Sequence, residues 1–327
     1  MKNIAIVTGG NSSEYSISIE SAKNIKKHFD TNIYNIYTII IKDISWILEL
    51  SKNEKNEINK NDFSAIINNT KITFDFAFIM IHGTPGEDGR LQAYFDLLNI
   101  PYSSCDFFVS ALTFNKFACK NYLGNYGILT ANSVIIRKDF ILSNQEIINS
   151  TGLPCFVKPN GSGSSYGISK VNEIKELNEA IDKAFSEGHE IIIEEFIEGK
   201  EITCGLFKTA DNEYIFPLTE IVTKNEFFDY EAKYTGKSDE ITPARISNLL
   251  TEKCKEISSQ IYNILNCKGI VRIDYILNKD DFYFLEINTV PGMTQESLVP
   301  QQIEASEHSI KEIIDTIISK LSKNLNQ

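Results

Sequence analysis

The sequence predicts an α/β protein, α+β in parts, whose N-terminal domain is built on a parallel sheet. Three observations lead there. Short apolar, β-rich runs at residues 4–8, 33–41 and 74–81 are separated by a helical stretch near 16–29 and by longer connections, the order that builds parallel pairs. From about residue 105 the pattern changes to helices and strands of mixed order. At 327 residues the chain is also too long for one ordinary core, so three units are expected, 1–104, 105–188 and 189–327.

The first strand, 4–8, ends at Gly9-Gly10, which permits a tight turn into the first helix. Residues 51–62 are rich in Lys, Asn and Glu and read as a solvated loop or exposed helix. A helix is expected near 115–126, then a strand, and 155–159 enters a Gly/Ser-rich loop. An amphipathic helix over 174–186, strands over 190–196 and 201–208, a helix over 249–265, two strands flanking 278–281 and C-terminal helices complete the chain.

With 32 Lys and Arg against 44 Asp and Glu the net charge is −12, which disfavours nucleic acid as a partner because phosphate backbones require basic patches. No apolar run approaches the roughly 18 residues that a membrane span needs. The N-terminus shows no charged-then-apolar leader, so a cytoplasmic location is expected. Cys105, Cys119, Cys155, Cys204, Cys254 and Cys267 are scattered without a C-x-x-C pair, which favours reduced, buried thiols over a disulfide framework or zinc site.

The runs 270–277 and 282–288 carry the first chemical signal. Side chains alternate faces along a strand, so Val271, Ile273, Tyr275 and Leu277 share one side, as do Tyr283, Leu285 and Ile287. The charges fall on the other. If the runs form a hairpin, burying both odd faces places Asp274 opposite or diagonal to Glu286, and Arg272 near Asn288. This parity calls for an odd number of unpaired turn residues, such as 279–281, unless a bulge intervenes. Two carboxylates and an amide oxygen on one face suit a hard cation such as magnesium; the same alternation would also suit a plain solvent-facing sheet.

Residues 158–167, KPNGSGSSYG, join two strands. Their small side chains let backbone N–H groups approach phosphate, with Lys158 at the root. The spacing is neither that of a P-loop nor the dinucleotide G-x-G-x-x-G, and a flexible hairpin turn is the competing reading. GGNSSE (9–14) follows the first strand and puts Glu14 at a helix start, where a cap is an equally simple explanation. HGTPGEDG (82–89) occupies a strand's carboxyl end, the usual ligand side of an open α/β sheet.

Taken in order, GGNSSE, HGTPGEDG, KPNGSGSSYG, EEFIEGKE (194–201), DYEAKY (229–234), RID (272–274) and EINTVPGMTQESLVP (286–300) resemble the D-alanine–D-alanine ligases of the ATP-grasp superfamily. The resemblance spans essentially the whole chain and implies an ATP-grasp fold behind an N-terminal parallel α/β domain. It implies ATP as co-substrate and two magnesium ions, manganese being a possible substitute, on Asp274, Glu286 and Asn288. Lys116 and Lys158 resemble the lysines that contact phosphate and nucleotide. Glu194, Glu195, Phe196 and Ile197 match the adenine segment, and Glu201 the ribose carboxylate. Ser164 and Ser165 sit on the loop that closes over the phosphates. Lys233 and Tyr234 sit on a second such loop, about 226–243. Glu14, Ser164 and Tyr234 resemble the triad that orients the first D-alanine, with His82 lining that subsite. Arg272 and the backbone of Gly292 match the groups that stabilise the tetrahedral intermediate, and Ser297 with Leu298 those that hold the second substrate's carboxylate.

The implied product is D-alanyl-D-alanine, made through an acyl phosphate with release of ADP and phosphate, for peptidoglycan precursors. The implied assembly is a homodimer. Tyrosine at 234 goes with D-alanine rather than D-lactate as second substrate, while D-serine stays open. Other readings are a sister ATP-grasp carboxylate–amine ligase and a non-catalytic nucleotide-binding module. The chain departs from the commoner family pattern at Tyr15-Ser16, at Glu195 and at Asn160-Gly161-Ser162, where a looser loop is expected.

Overall fold

A computed structural model describes residues 1–51, 54–140, 142–161, 167–223 and 238–322. Its strands, in chain order, are β1 (Lys2–Gly9), β2 (Tyr34–Lys42), β3 (Ser45–Ser51), β4 (Glu54–Glu57), β5 (Ala65–Ile67), β6 (Thr70–Ile72), β7 (Phe76–Met80), β8 (Ser133–Arg137), β9 (Cys155–Pro159), β10 (Ser169–Val171), β11 (Glu190–Glu195), β12 (Lys200–Lys208), β13 (Glu213–Ile215), β14 (Thr219–Thr223), β15 (Ser238–Ile241), β16 (Val271–Asn278) and β17 (Asp281–Asn288).

The first sheet runs β4-β3-β2-β1-β7. β1 lies parallel to both β2 and β7, as their buried apolar runs require. β3 and β4 extend it as antiparallel strands, with β4 at the edge. The expectation for residues 51–62 is therefore corrected: Glu54–Glu57 is a strand, and the segment leads through buried Ile58 to buried Phe63. Charged side chains suit an edge, where they discourage further pairing. The second sheet, β10-β9-β11-β8, is antiparallel. The third runs β15-β14-β12-β16-β17, with β13 added alongside β12.

The expected helices form at Tyr15–Lys26, Lys116–Gly124, Leu177–Glu187 and Asn248–Ile264, and a further one at Phe107–Phe114. The C-terminal helix Ile310–Leu321 returns to the N-terminal sheet, where Ile313, Ile314, Ile317 and Ile318 share one core with Ile4, Ile6 and Phe78. The last described helix and the first strand thus share one core. All six cysteines are buried with free thiols. Among the described residues no helix is long and apolar enough to cross a membrane.

The β16–β17 hairpin bears out the pairing, and its turn follows the exception expected where a bulge intervenes. Arg272 pairs with Asn288, and Asp274 with Glu286. Asn278 pairs with Asp281, however, so the turn is the two residues Lys279 and Asp280, with Lys279 in the left-handed region at φ 54°. A bulge between Asp274 and Tyr275 on one side and Phe284 and Glu286 on the other absorbs Leu285. Below it Phe282 and Phe284, each 2% exposed, are the buried side chains, not Tyr283 and Leu285. Above it Ile287 faces the core and Glu286 and Asn288 face the site. The expected odd-numbered face thus holds along β16, where Val271, Ile273, Tyr275 and Leu277 are all buried, but on β17 only at Ile287. Truncation should separate the two faces: Phe284→Ala is expected to cost about 3–5 kcal/mol in denaturant unfolding. Leu285→Ala should cost about 1 kcal/mol or less. The reverse order would mean uninterrupted alternation.

Candidate active site

β1 and β7 are neighbours, so the turns at their carboxyl ends meet. Asn11 donates its N–H to the Thr84 carbonyl (2.9 Å) and Ser12 its hydroxyl to the His82 carbonyl (2.7 Å). Gly83 (φ 74°) must be glycine, since a Cβ there would lie 2.8 Å from that of Ser12. Glu14 sits at the start of the helix Tyr15–Lys26, and its field reaches both His82 and Glu87.

His82 is buried with both ring nitrogens committed. Nδ1 is 2.8 Å from the Val290 carbonyl and Nε2 is 3.0 Å from Ser21 Oγ. A carbonyl only accepts, so Nδ1 carries the proton and Nε2 accepts from Ser21. Ser21 Oγ in turn accepts from the Met293 N–H (3.1 Å). Burial lowers the imidazole below its ordinary value. These bonds, with Asn24 Nδ2 to the Met293 carbonyl (3.0 Å), tie the N-terminal loops to the segment just after β17.

On β16 and β17, Arg272 forks onto Asp274, Nε to Oδ1 at 2.9 Å and Nη2 to Oδ2 at 2.8 Å. Asn288 Nδ2 donates to Asp274 Oδ2 (3.2 Å). Lys116, at the start of its helix, reaches Glu286 Oε2 at 3.0 Å. Burial would lower the Lys116 ammonium, but Glu286, with Glu194 and Glu87 nearby, outweighs it and the group is raised. The guanidinium of Arg272 is likewise raised by Asp274 against burial. Among the described residues no group of three His, Cys, Asp or Glu could hold a metal. The candidate set is two carboxylates and an amide, all hard oxygen donors with room in the shell for phosphate and water, which fits magnesium.

One turn along the same helix, Lys120 pairs with Glu194, whose other oxygen takes Lys158; all three are buried. Burial alone would raise Glu194, but Lys158 and Lys120 hold it at about 2. Asn160 locks this arrangement. It is buried, accepts from the Phe117 N–H (2.8 Å) and donates to Asn115 Oδ1 (2.9 Å) and Glu190 Oε2 (3.0 Å). The looser loop expected from Asn160 does not extend to that residue. Glu195 turns away to Asn132 Nδ2 (2.8 Å), and Phe196 packs against Phe156 with the rings tilted at 56° and their centroids 5.8 Å apart. Glu201 is the second residue of β12, opposite Ile276, and Ile197 follows β11. Ser297 stands at the N-cap position of the helix Leu298–Glu304 without a side-chain cap bond, and its Oγ accepts instead from the Thr294 N–H (3.0 Å); a Cβ on Gly292 would stand 2.9 Å from that Oγ. Ser164, Ser165, Lys233 and Tyr234 lie outside the described residues. Of the second loop, 238–241 is strand β15, paired with β14.

The sequence pattern of the D-ala D-ala ligase N-terminus matches residues 3–105, and that of the D-ala D-ala ligase C-terminus matches 123–319. The chain belongs to the D-alanine–D-alanine ligase family. It is 51% identical to the D-alanine–D-alanine ligase of Phocaeicola vulgatus over 97% of this chain and 98% of that one. It is 52% identical to that of Parabacteroides distasonis over 99% and 98%. Among solved structures it resembles the VanG D-Ala:D-Ser ligase from Enterococcus faecalis, with a TM-score of 0.87, 32% identity and coverage of 98% and 99%. It also resembles the D-alanine–D-alanine ligase from Bacillus anthracis complexed with ATP, with a TM-score of 0.80, 28% identity and coverage of 100% and 99%. The fold is accordingly the ATP-grasp fold of these ligases.

Two residues of this family member escaped the sequence reading. Lys120 lies four residues after Lys116, a spacing that shares a helix face but marks no site by itself. Glu87, inside HGTPGEDG, accepts from the Gly83 N–H (2.7 Å) and the Val290 N–H (3.4 Å). Burial and the neighbouring Glu14 push its carboxyl up to about 8, against those two donors. A carboxyl raised in the fold binds protons there that the unfolded chain has lost. Its contribution to stability is therefore full below about pH 4.5 and disappears as pH rises through about 8. Glu87→Gln should flatten that part of the melting-temperature profile between pH 5 and 9, measured by calorimetry against the parent. Parallel profiles would rule this out.

Proposed function

We propose that the chain joins two D-alanines into D-alanyl-D-alanine at the expense of ATP, in the cytoplasm, for peptidoglycan precursors. The observation that carries this is the register of β16 and β17. It gathers Arg272, Asp274, Glu286 and Asn288 on one face, with Lys116 above and the His82 and Glu14 loops bonded to the next segment. Division into units near 1–104, 105–188 and 189–327 belongs to the same proposal, supported by the three larger sheets, with β11 just past the second boundary lent to the middle one. So does a homodimer, by family resemblance.

In this reading a carboxylate oxygen of the first D-alanine attacks the γ-phosphorus, the bond to the bridging oxygen breaks, and ADP leaves. The amine of the second then attacks the acyl carbon and phosphate departs. Lys116 and Lys158 place positive charge along the phosphates, and Glu194 to Ile197 with Glu201 receive the nucleoside. Such transfer asks chiefly for positioning and charge neutralisation. Arg272, oriented by its fork onto Asp274, and the Gly292 N–H face the developing oxyanion. Glu14, with Ser164 and Tyr234, orients the first D-alanine beside His82. Ser297 and Leu298 hold the carboxylate of the second. Asp274, Glu286 and Asn288 would hold two magnesium ions (manganese would also serve), which when bound neutralise phosphate charge.

Incubation with ATP, magnesium and D-alanine should give dipeptide and phosphate in equal amounts. With D-alanine, D-lactate and D-serine in competition near neutral pH, D-alanyl-D-alanine should predominate. Predominant D-alanyl-D-lactate or D-alanyl-D-serine would overturn the assignment of the second substrate. Phosphate release only with another amino acid would favour a sister ligase, and none at all a binding module.

A further inference from the structure

The third sheet has an interval that no strand fills. Along one edge of β12, β14 pairs with Glu201–Thr203 and β13 with Leu206–Lys208. The Thr203 carbonyl and the Gly205 N–H fall between these ladders. Gln302, fully buried on the helix Leu298–Glu304, reaches into the interval. Its Oε1 accepts from the Gly205 N–H (2.9 Å), and its Nε2 donates to the Thr203 carbonyl (3.1 Å) and to Thr219 Oγ1 (3.0 Å). One side-chain amide thus supplies the donor and acceptor that a strand peptide would. Gly205 is shaped for it, since a Cβ there would lie 2.5 Å from Gln302 Oε1.

On the opposite edge of β12, Thr203 pairs with Asp274 and Gly205 with Arg272. The helix that begins at Ser297 is therefore fastened to the two residues that back the Arg272–Asp274 fork. We propose that Gln302 is a positioning residue for the second, amine-donating substrate. It fixes the distance between the carboxylate anchor at Ser297 and Leu298 and the acyl centre at Arg272. This rests on the ligase reading above. Loosening the link leaves acyl-phosphate formation intact but lets water take the place of the amine. Water attacks the acyl carbon, the bond to the phosphate oxygen breaks, and D-alanine and phosphate are returned without dipeptide.

The test compares the full-length parent with Gln302→Leu, Gln302→Glu and Gly205→Ala, measuring phosphate and dipeptide from the same reactions. In Gln302→Leu the phosphate-to-dipeptide ratio should rise severalfold. KM for the second D-alanine should rise between about tenfold and a hundredfold, the range expected when a reactant is misplaced by about an ångström. KM for ATP should stay within about twofold. Gly205→Ala should reproduce this split by displacing the amide. Gln302→Glu should regain coupling as pH falls, because a protonated carboxyl both accepts and donates. These last two variants decide the matter if Gln302→Leu does not fold. A ratio that stays at one, or ATP and D-alanine parameters that worsen together, overturns the role of Gln302. A parent that makes no dipeptide overturns the ligase reading itself.

Discussion

A strand in a two-layer domain can bury only one face, and β17 needs both. Near the turn its core side chains are Phe282 and Phe284; near the site it is Ile287. The bulge at Leu285 reconciles them by spending one residue without a partner, so that Glu286 and Asn288 come to the same side as Asp274 and Arg272. Everything chemical in the third sheet depends on that one residue. Without it Glu286 would stand opposite Ile273 in the core, an unpaired carboxylate in apolar surroundings that no strand of this composition could sustain.

Charge is distributed around this face with equal economy. The helix Lys116–Gly124 sends Lys116 to Glu286 in the third sheet and Lys120 to Glu194 in the second. One helix turn therefore holds the two sheets at a set separation. In the second sheet Lys158 and Lys120 share the Glu194 carboxylate, and burial lowers Lys120 below its ordinary value. Removing the carboxylate would leave buried lysines without their partner, which is unfavourable. Asn160 makes the link rigid by bonding to the helix start and to β11's Glu190.

How much of this was legible beforehand follows from the range of each signal. Alternation is local, so the Asp274–Glu286 and Arg272–Asn288 pairs could be read from it, as could the strands β1, β2 and β7. The turn could not. Asn278-Lys279-Asp280-Asp281 lacks the glycine that usually marks a two-residue hairpin, and Lys279 takes the left-handed position instead. The edge strand β4 was missed because its polar residues reflect exposure rather than backbone pairing. Lys120, Glu87 and Gln302 were missed for a different reason: each is polar, and only tertiary packing reveals that it is enclosed. The roles of Ser164 and Tyr234 rest on the family motif alone.

The bonds around His82 bear on what that histidine can do. Met293 N–H donates to Ser21, Ser21 donates to Nε2, and Nδ1–H donates to the Val290 carbonyl, so the chain of donors starts and ends within one loop. Its direction is fixed because its first donor is an amide and its last acceptor a carbonyl. Adding a proton at Nε2 would set two donors against each other and reverse Ser21, which is consistent with the lowered imidazole. These bonds suit His82 to orienting the segments that it joins. Its contribution is to hold 290–293, and with it the Gly292 N–H, at a constant distance from the turns that carry Glu14. That distance spans the gap between the N-terminal sheet and the segment that follows β17.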